Sequence, residues 1–297
     1  YFDMAEIAWN HAGTMLAYTC KPLAGTDYAL TTDSDVFVYD VASGLTQNIC
    51  KPRNFGLEGA PVINPGAMPG YDKYPVWSPD DLRIAFRSMR QPGFESDKQR
   101  LFLYDCRTGE LEDLTPEFDY NALNVVWEND DTLWFAAPIE ATHQLCRLHL
   151  PDGRVEVVTR GDHDIKTFTM AGGRLVAELC TISSAAEYYE VNPADGALTK
   201  ISDINGDIYG HIRMGEVQKR WVPTTDGKRM LVWVILPPDF DPAKKYPTLL
   251  YCEGGPQNVV SQFWSYRWNF QLMAARGYVV VAPNRRGLPS FGQEWLE

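Results

Sequence analysis

No apolar run in this chain is long enough to cross a membrane. The longest, "GYVVVAP" at 277–283, is the size of a strand. No signal peptide is visible, yet the chain opens on "YFDMAEIAW" without an initiator Met, in sequence already patterned for structure. An N-terminal portion is therefore expected to lie outside these residues. Basic charge is also scarce. With 27 Lys and Arg against 39 Asp and Glu, the formal net charge is −12, which argues against a phosphate-binding surface and so against nucleic acid. The acidic balance suits a periplasmic or secreted protein and leaves the cytoplasm open. Low-complexity sequence is missing, and 45% hydrophobic residues are enough to bury a large core.

Cysteines in metal-binding order are missing too. The six, Cys20, Cys50, Cys106, Cys146, Cys180 and Cys252, form no C-x-x-C pair and none has zinc-ligand spacing to the five histidines. Cys146 and His149 in "CRLH" lie in alternating strand sequence, which sends them to opposite faces. Most of the cysteines read as small buried hydrophobes, with one disulfide left open. No metal and no cofactor is expected.

What is present begins with a repeat. "IAWNHAGTMLAYT" (7–19), "PVWSPDDLRIAFRS" (75–88) and "VVWENDDTLWFAA" (125–137) share one layout, with Trp9, Trp77 and Trp127 in the same place. Each is followed by a second pair of β-rich runs around a Gly turn, at 34–49, 99–115 and 143–159. A fourth unit at 165–202 keeps the layout without the Trp. Four antiparallel strands per unit predict about four blades of a β-propeller. After about Asp203 the pattern changes. A hairpin turns at Asp226-Gly227, "YPTLLYCEGGP" (246–256) is a strand entering a glycine turn, 265–277 predicts a helix stopped by Gly277, and "YVVVAPNRRG" (278–287) predicts a strand buried on both faces. Hairpin, strand, helix and strand open an α/β sheet. The expected fold is mainly β: C-terminal propeller blades over 1–205, then the first strands and helix of an α/β-hydrolase domain over 206–297.

Blades followed by "LLYCEGGPQ" and then "NFQLMAARGYVVVAPNRRGLPSFG" resemble the prolyl oligopeptidase family of serine peptidases, in its dipeptidyl-peptidase and acylaminoacyl-peptidase branch. The resemblance covers essentially the whole chain. It implies a serine exopeptidase that releases dipeptides or blocked amino acids from short peptides. It also implies that the turn after the strand supplies an oxyanion-hole N–H, from Gly255 or its neighbour Gly254. The family's nucleophile elbow, G-x-S-x-G, does not occur in 1–297, and Ser290 in "GLPSFG" has the wrong spacing, so the triad is absent from this chain and the segment alone is expected to be inactive.

For the free α-ammonium of a substrate, the acidic hairpin insertion "RQPGFESDKQR" (90–100) offers Glu95 first, then Asp97, with Arg90 for a peptide carbonyl. Trp264 and Tyr266 are candidates for lining the cavity. The expected partners are short peptides, with a homodimer left open. Two rivals stand beside this reading: a periplasmic propeller acting as a binding or scaffold module, and an esterase or lipase on the same hydrolase fold.

Overall fold

In the computed structural model, the described residues are 5–21, 23–51, 68–94, 96–255 and 258–297. Backbone contacts divide the chain into two compact units, Tyr1–Phe135 with Arg147–Glu156, and Ala136–Cys146 with Val157–Glu297.

The first unit opens on β1 (Ala5–Trp9), β2 (Met15–Cys20), a one-turn α1 (Asp27–Leu30), β3 (Asp35–Asp40) and β4 (Thr46–Asn48). The four strands pair in chain order as an antiparallel meander. A second meander repeats this with β5 (Asp72–Trp77), β6 (Arg83–Ser88), β7 (Arg100–Asp105) and β8 (Leu111–Asp113). Two of the three repeated tryptophans do equivalent work, while Trp9 is 58% exposed. Trp77 Nε1 donates to Ala8 O at 3.1 Å and Trp127 Nε1 donates to Val76 O at 3.2 Å. Each indole thus bonds the residue just before the tryptophan of the preceding repeat. Burying a large ring with its N–H satisfied gives the repeat its fixed spacing. The turns stack in the same way, for Asp81 accepts from the His11 and Ala12 amides at 2.7 and 2.8 Å.

Further along come β9 (Leu123–Asn129), β10 (Thr132–Ile139), β11 (Thr142–His149) and β12 (Arg154–Val157), then β13 (Asp164–Ala171), β14 (Arg174–Thr181), β15 (Ser184–Val191) and β16 (Leu198–Lys200). They form one eight-stranded sheet in the order β16-β15-β14-β13-β11-β10-β9, with β12 on β11. The β11–β13 link is a single parallel pairing, His143 with Asp164. All six cysteines are free, so the disulfide left open by the sequence does not form.

A short α2 (Gly206–Tyr209) leads to β17 (Val217–Pro223), β18 (Arg229–Ile235), β19 (Thr248–Leu250), α3 (Phe270–Ala275), β20 (Val279–Pro283) and α4 (Gln293–Leu296). The sheet order is β17-β18-β20-β19, with β19 and β20 parallel. Two expectations shift. The helix predicted from residue 265 starts at Phe270, because Ser265 Oγ takes the Arg267 and Trp268 amides at 3.2 and 2.8 Å and holds them in a turn. Asn269 then caps the helix by accepting from Leu272 N at 2.8 Å. The strand predicted to be buried on both faces is buried on one. Val280 and Ala282 sit in the core with Leu231, Trp233 and Ile235, whereas Val279 and Val281 are half-buried against Val232, Val234 and Leu236.

Candidate active-site turn

β19 runs parallel to β20 and hands the chain to a glycine turn at its C-terminal end, where Tyr251 N still bonds Val281 O at 2.8 Å. The C-terminal ends of parallel strands are where open α/β sheets place their ligands. The two candidate glycines of this turn differ. Gly255 has φ +118°, and a Cβ there would lie 2.3 Å from Asn258 Nδ2. Gly254 has open space where a side chain would go, and its N–H points back to Glu253 Oε1 at 3.2 Å. Among the described residues nothing accepts the Gly255 N–H. The turn is therefore built so that one amide is engaged and the next, at a position only glycine fits, is available.

Glu253 does not meet Arg285 or Arg286. Its carboxylate takes the Gly254 amide and acts on the Tyr251 hydroxyl. Burial, then the hydrogen bond and charge of Glu253, push the Tyr251 phenol up to about 12. Arg286 instead pairs with Asp226 at 3.5 Å and stacks on Trp295, 5.1 Å from the ring centroid. Ser290 is buried and holds the Ala141 amide at 2.8 Å. Pro256 and Gln257 lie outside the described residues.

Downstream of the turn, residues 260–262 are fixed from four directions. Trp233 Nε1 donates to Val260 O at 3.0 Å, and Asn284, fully buried, bonds both the N–H and the carbonyl of Val260 at 2.9 and 3.0 Å. Asp164 accepts from Ser261 Oγ at 2.5 Å and Gln262 N at 3.3 Å, while the Gln262 side chain accepts from Ile182 N at 3.2 Å. Asp164 also holds His143, its Nδ1 at 3.1 Å. Aspartate stands between serine and histidine here, the wrong order for a nucleophile relay, which needs the histidine in the middle. The cluster is an anchor. None of its members was visible as a candidate in the sequence, because Asp164 and Ser261 are 97 positions apart. The only local signal was a polar Asn284 directly after an apolar strand.

Trp264 and Tyr266 come together. They pack edge-on at 6.1 Å, Trp264 also meets Tyr209 at 6.2 Å, and all three line a groove of about 390 Å³ with Ile208, Ile212 and Leu272. Tyr266 is 86% exposed. In the 90–100 hairpin, Asp97 turns inward, accepting from the Arg90, Gln91 and Lys98 amides at 2.6, 2.8 and 2.9 Å. Arg90 is exposed, and Glu95 lies outside the described residues.

Residues 264–297 match the prolyl oligopeptidase family. The chain is 42% identical to a dipeptidyl-peptidase 5 of Porphyromonas gingivalis over 98% of its own length, and 38% identical to a dipeptidyl-peptidase 5 of Porphyromonas endodontalis over 99%. It spans 41% of the length of each of these relatives. Among solved structures it is similar to the acylaminoacyl peptidase of Pyrococcus horikoshii, at 20% identity and a TM-score of 0.68 over 99% of this chain and 53% of that one. It is also similar to a puromycin hydrolase, at 17% identity and a TM-score of 0.69 over 99% and 43%. At these identities the structural likenesses establish the fold alone.

Proposed function

We propose that this chain, related along nearly its whole length to the prolyl oligopeptidase family, is the substrate-selecting part and one active-site edge of a serine exopeptidase acting on short peptides. In this reading residues 1–205 are propeller blades and 206–297 open the hydrolase domain. The observation that carries it is the Gly255 amide, held at the C-terminal end of β19 in a conformation that excludes any side chain. Such an amide suits an acyl-transfer intermediate, because the charge develops on an oxygen that a preorganised N–H can reach. The groove at Trp264 and Tyr266 offers aromatic surface for an apolar substrate residue. Asp97 already satisfies three amides, which favours Glu95 as the carboxylate for a substrate ammonium.

The test uses a longer protein that carries these residues together with a G-x-S-x-G elbow. A dipeptidyl 4-nitroanilide should be hydrolysed and a fatty ester should not. The reverse preference would point to the esterase reading, and turnover of neither to a binding module. In a covalent phosphonate complex the oxyanion should lie within about 3.5 Å of Gly255 N. A hydrogen bond from the Glu253 carboxyl instead would overturn the assignment. Glu95→Gln should raise KM for free-amine substrates by roughly tenfold to more than a hundredfold, the cost of one charge-assisted contact. N-acylated substrates should be nearly unaffected, and equal losses on both would make Glu95 structural.

A further inference from the structure

Far along the sequence from the turn, inside the first unit, three metal-ligating groups converge where its first two meanders meet. Asp35 starts β3, Asp72 starts β5 and Cys50 follows β4. Backbone bonds stitch this seam, Ser34 N to Gly70 O at 3.2 Å and Asp72 N to Ser34 O at 2.8 Å. One carboxylate oxygen from each aspartate and the Cys50 Sγ lie within 4.8 Å of one another, with Asp72 and Cys50 fully buried and Asp35 4% exposed.

Asp72 is the anomaly. Among the described residues neither of its carboxylate oxygens has a hydrogen-bond partner. The Ser88 hydroxyl and Cys50 thiol are close enough to act on its charge, and the hydroxyl donates to Met89 O at 3.5 Å. A fully buried carboxylate with bare oxygens is costly unless it is protonated or meets a cation. Its neighbours are organised around it. Val36 N donates to the Cys50 sulfur at 3.3 Å, the bond that a thiolate ligand accepts. Asn48 donates to Asp35 Oδ2 at 2.8 Å, while its own oxygen takes the Cys50 amide at 2.9 Å. Lys51 sits 3.0 Å from both Asp33 and Asp35.

We propose that Asp35, Cys50 and Asp72 form a buried divalent-metal site of the zinc class that ties β3 to β5. One thiolate with two carboxylates suits a borderline-soft ion such as zinc, and the sulfur disfavours calcium or magnesium. Asn48, Lys51 and the Val36 amide are the outer contacts that orient the ligands. With Cys50 ionised, the negative groups Asp33, Asp35, Asp72 and Cys50 outnumber the Lys51 ammonium among the described residues of the cluster, and a divalent ion offsets that excess. Binding forms a metal–sulfur bond and releases the thiol proton to solvent, together with the Asp72 proton where that group is protonated, so affinity rises with pH.

The experiment strips the purified 297-residue chain of metal under reducing conditions and titrates it with Co²⁺. The expected result is one equivalent bound, with a sulfur-to-cobalt charge-transfer band and the visible spectrum of a tetrahedral ion, both removed by Zn²⁺. Cys50→Ser should lose the charge-transfer band, Asp72→Asn should weaken binding at least about tenfold, and Cys252→Ser should change neither. Zn²⁺ should raise the Tm of the parent chain and of Cys252→Ser, but not of Cys50→Ser. Circular dichroism establishes that each variant is folded. If Cys50→Ser does not fold, the parent spectrum and the isosteric Asp72→Asn still decide. A folded parent that binds no Co²⁺, or binds it without the charge-transfer band, overturns the proposal and leaves Lys51 as the cluster's own cation. Survival of that band in Cys50→Ser overturns it equally.

Discussion

At the scale of single residues, the two glycines of the turn make opposite predictions. Gly254→Ala meets open space and should change stability by no more than about 0.5 kcal/mol. Gly255→Ala forces a side chain into a positive φ and against Asn258, and should cost about 1–3 kcal/mol. Urea denaturation of the two variants checks this, and equal costs would mean that the turn is not built as described. Glu253→Gln removes an anion that acts on the Tyr251 hydroxyl. The phenol should titrate below its present value of about 12 yet stay above the ordinary range, because burial is the larger cause. An ultraviolet titration reads this as a difference against Tyr251→Phe, which isolates the group among the 15 tyrosines. Cys252 is the one exposed cysteine of the six, four others being buried and Cys106 half-buried. A thiol reagent on the native chain should find one fast-reacting group, and Cys252→Ser should abolish it.

At the scale of elements, hydrogen bonds to buried carboxylates hold the connections. Glu187 on β15 is almost entirely buried. Burial opposes its ionisation, but hydrogen bonds from Ser202 and from the Ile204 and Asn205 amides prevail and lower it to about 2. These contacts pin the link that enters α2. Because the folded value lies below the ordinary one, the stabilisation is complete above about pH 4.5 and is lost as pH falls toward 2. It amounts to something on the order of 2 kcal/mol, so Glu187→Gln should lower stability at pH 7 by about that much and flatten the acid limb of the stability curve. A variant with an unchanged acid limb would remove Glu187 from this role. Asp164 does similar work for residues 260–262. Asp164→Asn keeps the shape but weakens two acceptor contacts. In an active longer protein kcat should fall with KM little changed, since the clamp acts through the turn and not on substrate. A rise in KM alone would argue against it.

At the scale of the whole molecule, meanders repeat and then give way to a mixed sheet. The repeat was legible because one unit's rules recur: Trp before a polar turn, alternating strands, a Gly turn. The structure adds why the Trp is there, as Trp77 and Trp127 each bond the preceding repeat. The mixed sheet was legible from the switch to an uninterrupted apolar run. The purified chain should hydrolyse no dipeptidyl 4-nitroanilide, because G-x-S-x-G is missing from its 297 residues. Turnover abolished by a serine-directed phosphonate would refute this.

By itself the sequence determined what depends on neighbours along the chain. Strand alternation, turn chemistry, the glycine turn after a buried strand and the absence of a nucleophile elbow all follow from residues a few positions apart. The tertiary structure decided what depends on distant partners. The helix expected from residue 265 waits until Phe270 because a serine side chain captures its amides. Asp97 looked free in the sequence and is spent on its own loop. Asp164 and Ser261 carry no local mark, and neither do Asp35, Cys50 and Asp72. Each is an ordinary polar residue until folding removes water and leaves it to find its partner across the chain. Hydrogen bonds and charges gain their weight from that burial, and burial is not written at any single position.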